Sequence, residues 1–191
     1  MVITYFGDGC FRLQSGDVSI LTNPDNGRLK ADVILKTIIS TETDVAAEAS
    51  DIPVISFPGE YEVKGIEFFG FPITGESTEK FLKTAYAVWW EDMKFVFLGH
   101  LSSPIDAALA EEFGEPDILF LPVGGGPFLD PAVAARIAKQ LEARVVIPSF
   151  YKEPDEFLKA MGKKAEILEK FVFKQKDVAS EKSRPIILAK N

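Results

Sequence analysis

His100 is the only histidine in 191 residues, and it follows Lys94 to Leu98, an apolar segment with the length of a strand. An imidazole placed there titrates near neutrality and could act as a general base. The same position suits a partly buried, hydrogen-bonded loop residue. A single histidine excludes a histidine-rich zinc centre by count, because zinc hydrolases generally take two or more neutral nitrogens from imidazoles. Glu60 and Glu62 stand two apart on an expected strand and share one face, as a carboxylate pair or as a solvated surface. Gly124, Gly125 and Gly126 precede a helix start at Asp130, where free backbone amides could cradle an anion. No Lys-Ser or Lys-Thr accompanies them, and Asp130 already supplies a cap. Cys10, the only cysteine, reads as a small buried filler. No Gly-x-Ser-x-Gly or His-Glu-x-x-His occurs, so the sequence carries neither a serine-hydrolase elbow nor a thermolysin-like zinc helix.

These residues must be positioned by one domain spanning 1–191, the size at which a chain still builds a single core. Lys and Arg number 21 against 29 Asp and Glu, a formal charge of -8, so a phosphate backbone would meet a repelling field and nucleic acid is not an expected partner. Apolar runs are strand-length and far short of about 20 residues, so no membrane span is expected. With no basic leader and no cysteine pair, the expected compartment is the cytoplasm. Short strands with tight turns are predicted over 2–6, 10–14 and 18–21, then over 31–35, 54–57, 61–63 and 66–73. A helix is predicted over 41–50. A hairpin follows at 84–90 and 94–98, turning at Glu91-Asp92-Met93. Beyond it, helices at 103–113, 131–141 and 154–161 alternate with strands at 117–123 and 144–147, and two short strands close the chain. Ser102 or Ser103 is the expected cap of the first of these helices, and Asp130 with Pro131 the start of the second. Of adjacent Trp89 and Trp90 one must face outward, to an outer helix or to an interface such as a homo-oligomer's.

The opening Met1 to Phe11, the segment Pro58-Gly59-Glu60-Tyr61-Glu62-Val63-Lys64-Gly65-Ile66, the segment Asp117-Ile118-Leu119-Phe120-Leu121-Pro122-Val123-Gly124-Gly125 and Val145-Val146-Ile147-Pro148 occur in one order. In that order they resemble the small, lactonase-like and metal-dependent hydrolase branch of the metallo-β-lactamase superfamily. The resemblance covers almost the whole chain. It implies an α/β (α+β) fold, a four-layer αββα sandwich of two mixed sheets with outer helices. It also implies where metal would sit. The family signature, Thr or Ser followed by His-x-His-x-Asp-His, falls on Thr37-Ile38-Ile39-Ser40-Thr41-Glu42-Thr43. Ile38, Ser40 and Thr43 therefore stand in histidine places and Glu42 in the aspartate place. Asp8 stands where the branch usually has histidine, His100 near a metal-bridging aspartate, and Phe150 at the final histidine.

The family mechanism requires two metal ions that acidify a bridging water and clamp an oxyanion. With those ligands replaced, the expectation is a protein with no cofactor and no zinc, which binds a small molecule or a protein partner through the former cleft and does not catalyse hydrolysis. The alternative is a hydrolase with a rebuilt oxygen-rich site, where His100 joins Asp8, Asp32, Glu42 and Asp44 around Mg²⁺, Mn²⁺ or Ca²⁺. A self-association module is the third reading.

Overall fold

The computed structural model describes residues 1–25, 27–42 and 51–191. Strands β1 (Val2–Gly7), β2 (Cys10–Ser15) and β3 (Val18–Thr22) form an antiparallel meander, and β4 (Val33–Leu35) joins β3 in parallel. After β5 (Ile38–Ser40), β6 (Val54–Ile55) extends the same sheet beside β4. The chain then crosses to a second sheet through β7 (Gly59–Val63), β8 (Ile66–Pro72), β9 (Phe81–Trp90) and β10 (Met93–Phe97), all antiparallel neighbours. Helix α1 (Ala107–Phe113), β11 (Ile118–Pro122), α2 (Pro131–Gln140), β12 (Val145–Ser149) and α3 (Asp155–Met161) continue it as parallel crossovers. Short elements close the chain: β13 (Ile167–Leu168), β14 (Phe171–Val172), α4 (Gln175–Val178), β15 (Arg184–Pro185) and β16 (Ile187–Leu188). The six-stranded sheet runs β14-β1-β2-β3-β4-β6. The eight-stranded one runs β15-β12-β11-β10-β9-β8-β7, with β5 paired to β9.

Alternation along the strands builds two cores. Ile118 and Phe120 of β11 face the six-stranded sheet and pack with Phe11, Leu13, Phe95 and Tyr86. Leu119 and Leu121, one residue over, face outward against Phe113, Ile137, Leu141 and Phe157 of the helices. A strand buried on both faces needs a continuous apolar run, which is why 118–123 contains no charged residue. Each fully buried Leu or Phe contributes roughly 1.5–3 kcal/mol through burial. The mixed-sheet α/β architecture is the one the sequence implies. The expected helix over 41–50 falls mostly on residues 43–50, outside the described residues.

Two local differences from the sequence reading have clear causes. Helix α1 starts at Ala107, capped by Asp106, whose carboxylate accepts from Leu109 N at 2.8 Å. Ser102 and Ser103 do not cap it: they precede Asp106 in a turn outside the helix, where their N–H groups donate to the Glu76 carboxylate. Strand β5 arises where no element was expected from the sequence: Ile39 is buried, and the backbone pairs with Leu82 on β9. Trp90 turns inward at 7% exposure, leaving Trp89 the outward member at 42%.

Candidate active-site cleft

The carboxyl ends of β10, β11 and β12 and of β3 and β4 meet at one end of the sandwich, where parallel strands leave a crevice in α/β proteins. Asn23 follows β3, Thr37 follows β4, His100 follows β10 and Phe150 follows β12. Asn23 Oδ1 accepts the Thr37 N–H at 2.8 Å and the Thr37 hydroxyl at 3.1 Å. His100 Nδ1 lies 3.0 Å from that same hydroxyl. The Thr37 hydroxyl has one proton to give, to Oδ1 or to Nδ1, and the ring tautomer follows from that choice. Below the ring, Lys83 Nζ donates to the His100 carbonyl at 2.7 Å and to Glu76 Oε2 at 2.8 Å.

Burial, reinforced by the Lys83 charge, pulls the His100 pKa down to about 4. The imidazole is therefore neutral at pH 7 and a weak base. Its folded pKa lies below the ordinary 6.5, so the unfolded chain takes the proton first. Stability from this group is complete above 6.5 and declines as the pH falls toward 4. We expect the His100 ring resonances to show no titration between pH 5 and 8 by NMR; a midpoint inside that range would contradict this environment.

Phe150 occupies the centre of the cleft. Its ring stacks on Phe128 with centroids 4.2 Å apart and tilts over His100 at 4.7 Å. Its backbone is left-handed, at φ 55°. For a bulky residue this costs roughly 1–2 kcal/mol. Two glycines admit it. A Cβ on Gly9 would come within 2.6 Å of the Phe150 ring edge, and a Cβ on Gly124 within 2.9 Å of the Phe150 carbonyl carbon and closer still to its oxygen. Gly124 is thus required by close backbone approach. The Gly125 N–H is taken by the Leu129 carbonyl, and Asp130 accepts from Ala132 and Val133. The groove outside includes Asp8, Glu153 and Glu156 beside Lys152, a rim whose carboxylates outnumber its cation. None of this favours an anion at Gly124, Gly125 and Gly126.

The other expected site residues are scattered. Asp8 is exposed on the β1–β2 turn, 3.6 Å from the exposed Lys190. Ile38 and Ser40 lie on β5, and Glu42 is exposed just after it. Thr43 and Asp44 lie outside the described residues. Asp32 sits at the opposite end of β4, held by Lys64 and by the Ser19 N–H and hydroxyl. The Lys64 and Ser19 bonds, against a small burial effect, hold its pKa below the usual value. Among the described residues no three His, Cys, Asp or Glu side chains converge. The rebuilt site of His100 with Asp8, Asp32 and Glu42 is not assembled. Glu60 and Glu62 share an exposed face of β7, far in sequence from the cleft strands. Cys10 is buried, and burial, with Asp25 adding and Arg12 opposing, raises its thiol to about 11. Asn23, Thr37, Phe128 and Lys83 were not read as site residues. Only Thr37 carried a signal, as the residue that opens the signature stretch.

The residues described here do not fit a dinuclear metal centre. Phe150 offers no donor, and the one imidazole spends Nδ1 on Thr37.

A model of the beta-lactamase superfamily domain matches residues 2–149. A UPF0173 metal-dependent hydrolase from Thermococcus onnurineus is 28% identical in an alignment of 122 positions that covers 58% of this chain and 54% of that protein. The match thus spans about half the length of that relative. A crystal structure from Thermotoga maritima, described as a candidate Zn-dependent hydrolase of the metallo-beta-lactamase superfamily, is 28% identical. It superposes over 98% of this chain and 97% of its own with a TM-score of 0.80. A metallo hydrolase from Ignicoccus hospitalis shares the fold at 19% identity and a TM-score of 0.68, over 91% of this chain and 99% of its own. These relatives correct the expectation of no cofactor. They are named as metal-dependent or Zn-dependent proteins, and replaced ligands at one signature do not make a chain metal-free. Metal donors can lie elsewhere, and Thr43 of the signature, with residues 44–50 after it, lies outside the described residues.

Proposed function

The chain belongs to the beta-lactamase superfamily, and from that premise we propose that its cleft is a binding site for a small molecule and does not carry out the family's hydrolysis. One observation carries this: Phe150, which by resemblance stands at the family's final histidine, has its ring on Gly9 and against His100 and Phe128. An aromatic ring supplies neither a ligand for metal nor a path for a proton. His100, neutral and held by Thr37, supports the wall of the cleft and is poorly matched to base chemistry at pH 7. Metal bound at another place on the chain is compatible with this role.

Steady-state assays of the full chain with chromogenic lactone, carboxylate ester and phosphodiester substrates, with Zn²⁺, Mn²⁺ or neither, test the proposal. No turnover that depends on His100 is expected. Hydrolysis that collapses in His100→Ala while the variant keeps its fold would overturn it.

A further inference from the structure

Phe150 is the wall between two spaces. Inside lies a void of about 10 Å³, lined by the rings of Phe11, Phe97 and Phe120 and by Thr22, Asn23 and Thr37. That is room for one water. Outside lies the groove of about 680 Å³ that passes Asp8, Gly124, Phe128 and Tyr151. Phe150 lines both. A rotation of its side chain would move the ring into the groove and leave a ring-sized space on the aromatic floor.

We infer that Phe150 gates this interior pocket, and that the pocket takes one small uncharged aromatic or heteroaromatic molecule whose ring replaces the Phe150 ring. The inference rests on the binding role proposed above and names its ligand class. The floor is aromatic: Phe97 and Phe120 stack at 4.4 Å, and Phe11 meets Phe120 at 4.8 Å. No charged side chain lines the void, so an ionised ligand would lose its hydration without a partner. The Thr22 hydroxyl is already paired with the Phe11 N–H and the Gly9 carbonyl, and the Asn23 side-chain N–H, at 3.5 Å from the Gly9 carbonyl, is the weakly engaged donor that an uncharged hydroxyl or ring nitrogen can meet. The groove outside holds space for the displaced ring.

Phenol, a single uncharged ring with one hydroxyl, is the probe, titrated by NMR into the full chain and into Phe150→Gly. Glycine accepts the left-handed backbone, so this variant loses the ring without adding strain. Phenol should bind both saturably, with contacts from its ring to the Thr22 and Thr37 methyl groups. Binding to Phe150→Gly should be about tenfold tighter, because a closed gate reduces apparent affinity by the open fraction. In the unaltered protein the contact between the Phe150 ring and Gly9 Hα should disappear at saturation, a readout independent of any variant. Binding by Phe150→Gly alone, equal affinity in both, a Phe150–Gly9 contact that survives saturation, or no contact to the threonine methyls would each overturn the gate. Absence of phenol binding without hydrolysis sinks the gate alone, whereas His100-dependent turnover sinks the binding role.

Discussion

Gly124→Ala should lose about 4 kcal/mol of stability or fail to accumulate as folded protein, among the largest effects of any single methyl added to this chain. The methyl would press into the Phe150 carbonyl, an atom fixed by the end of β12 and by the turn into Tyr151. A flexible side chain could swing away from such a clash, whereas a backbone carbonyl one residue past the end of a sheet strand has little room to move. The strand is tied on one side to β11, by Leu121 beside Pro148 and Pro122 beside Ser149. Relief would thus have to displace the sheet or the 124–128 loop. Gly125→Ala is the control: its Cβ meets open space, and only the positive φ of 66° opposes it. About 1 kcal/mol is expected there. Urea unfolding of both variants measures the contrast. Equal midpoints for the two would show that Phe150 does not hold its backbone against Gly124.

Glu76→Gln should cost about 3 kcal/mol, the range for breaking a buried ion pair from one side. The Glu76 side chain is 8% exposed and that of Lys83 16%. Its carboxylate accepts from Lys83 Nζ, from the Ser102 and Ser103 N–H groups and from the Ser102 hydroxyl. The amide keeps the shape but places an NH₂ where an acceptor is needed, and leaves the Lys83 charge beneath His100 without its counter-ion. Burial alone would raise the Glu76 pKa, and the bonds from Lys83, Ser102 and Ser103 outweigh it, so the folded value lies below 4.5. The stabilisation is therefore full above pH 4.5 and is lost as the pH falls through the folded value. Unfolding of the parent chain and Glu76→Gln, followed from pH 7 down to pH 3, should converge at the acid end. A constant difference across that range would refute the assignment of the effect to this carboxylate.

Much of the fold is legible in local spacing. The Ser15-Gly16-Asp17 turn, the Lys64-Gly65 turn and the Asp130-Pro131 helix start lie where residue chemistry places them. Strand β11, read from 117–123, has the apolar run that burial on two faces demands. The α1 cap was misplaced because Ser102 and Ser103, good caps by type, are held outside the helix in a turn that binds Glu76, 26 residues before Ser102. Strand β5 was missed because its partner is β9 and its own three residues carry no alternation long enough to show. Replacement of the signature histidines was visible residue by residue, but that count spoke only of one place on the chain, and the relatives' metal-dependent character corrects the inference drawn from it.

By itself the sequence determined the strand and helix periods, the apolar faces that become the two cores, and the single histidine. Those properties belong to neighbouring residues and follow from side-chain spacing of two or 3.6. Only the tertiary structure decided that Phe150 would rest on Gly9 and press its carbonyl toward Gly124, that Thr37 would face His100, and that Glu76 would bind the 102–103 turn. Each pairing joins segments distant in sequence, and closing such loops is set by how the two sheets pack, which no local pattern encodes.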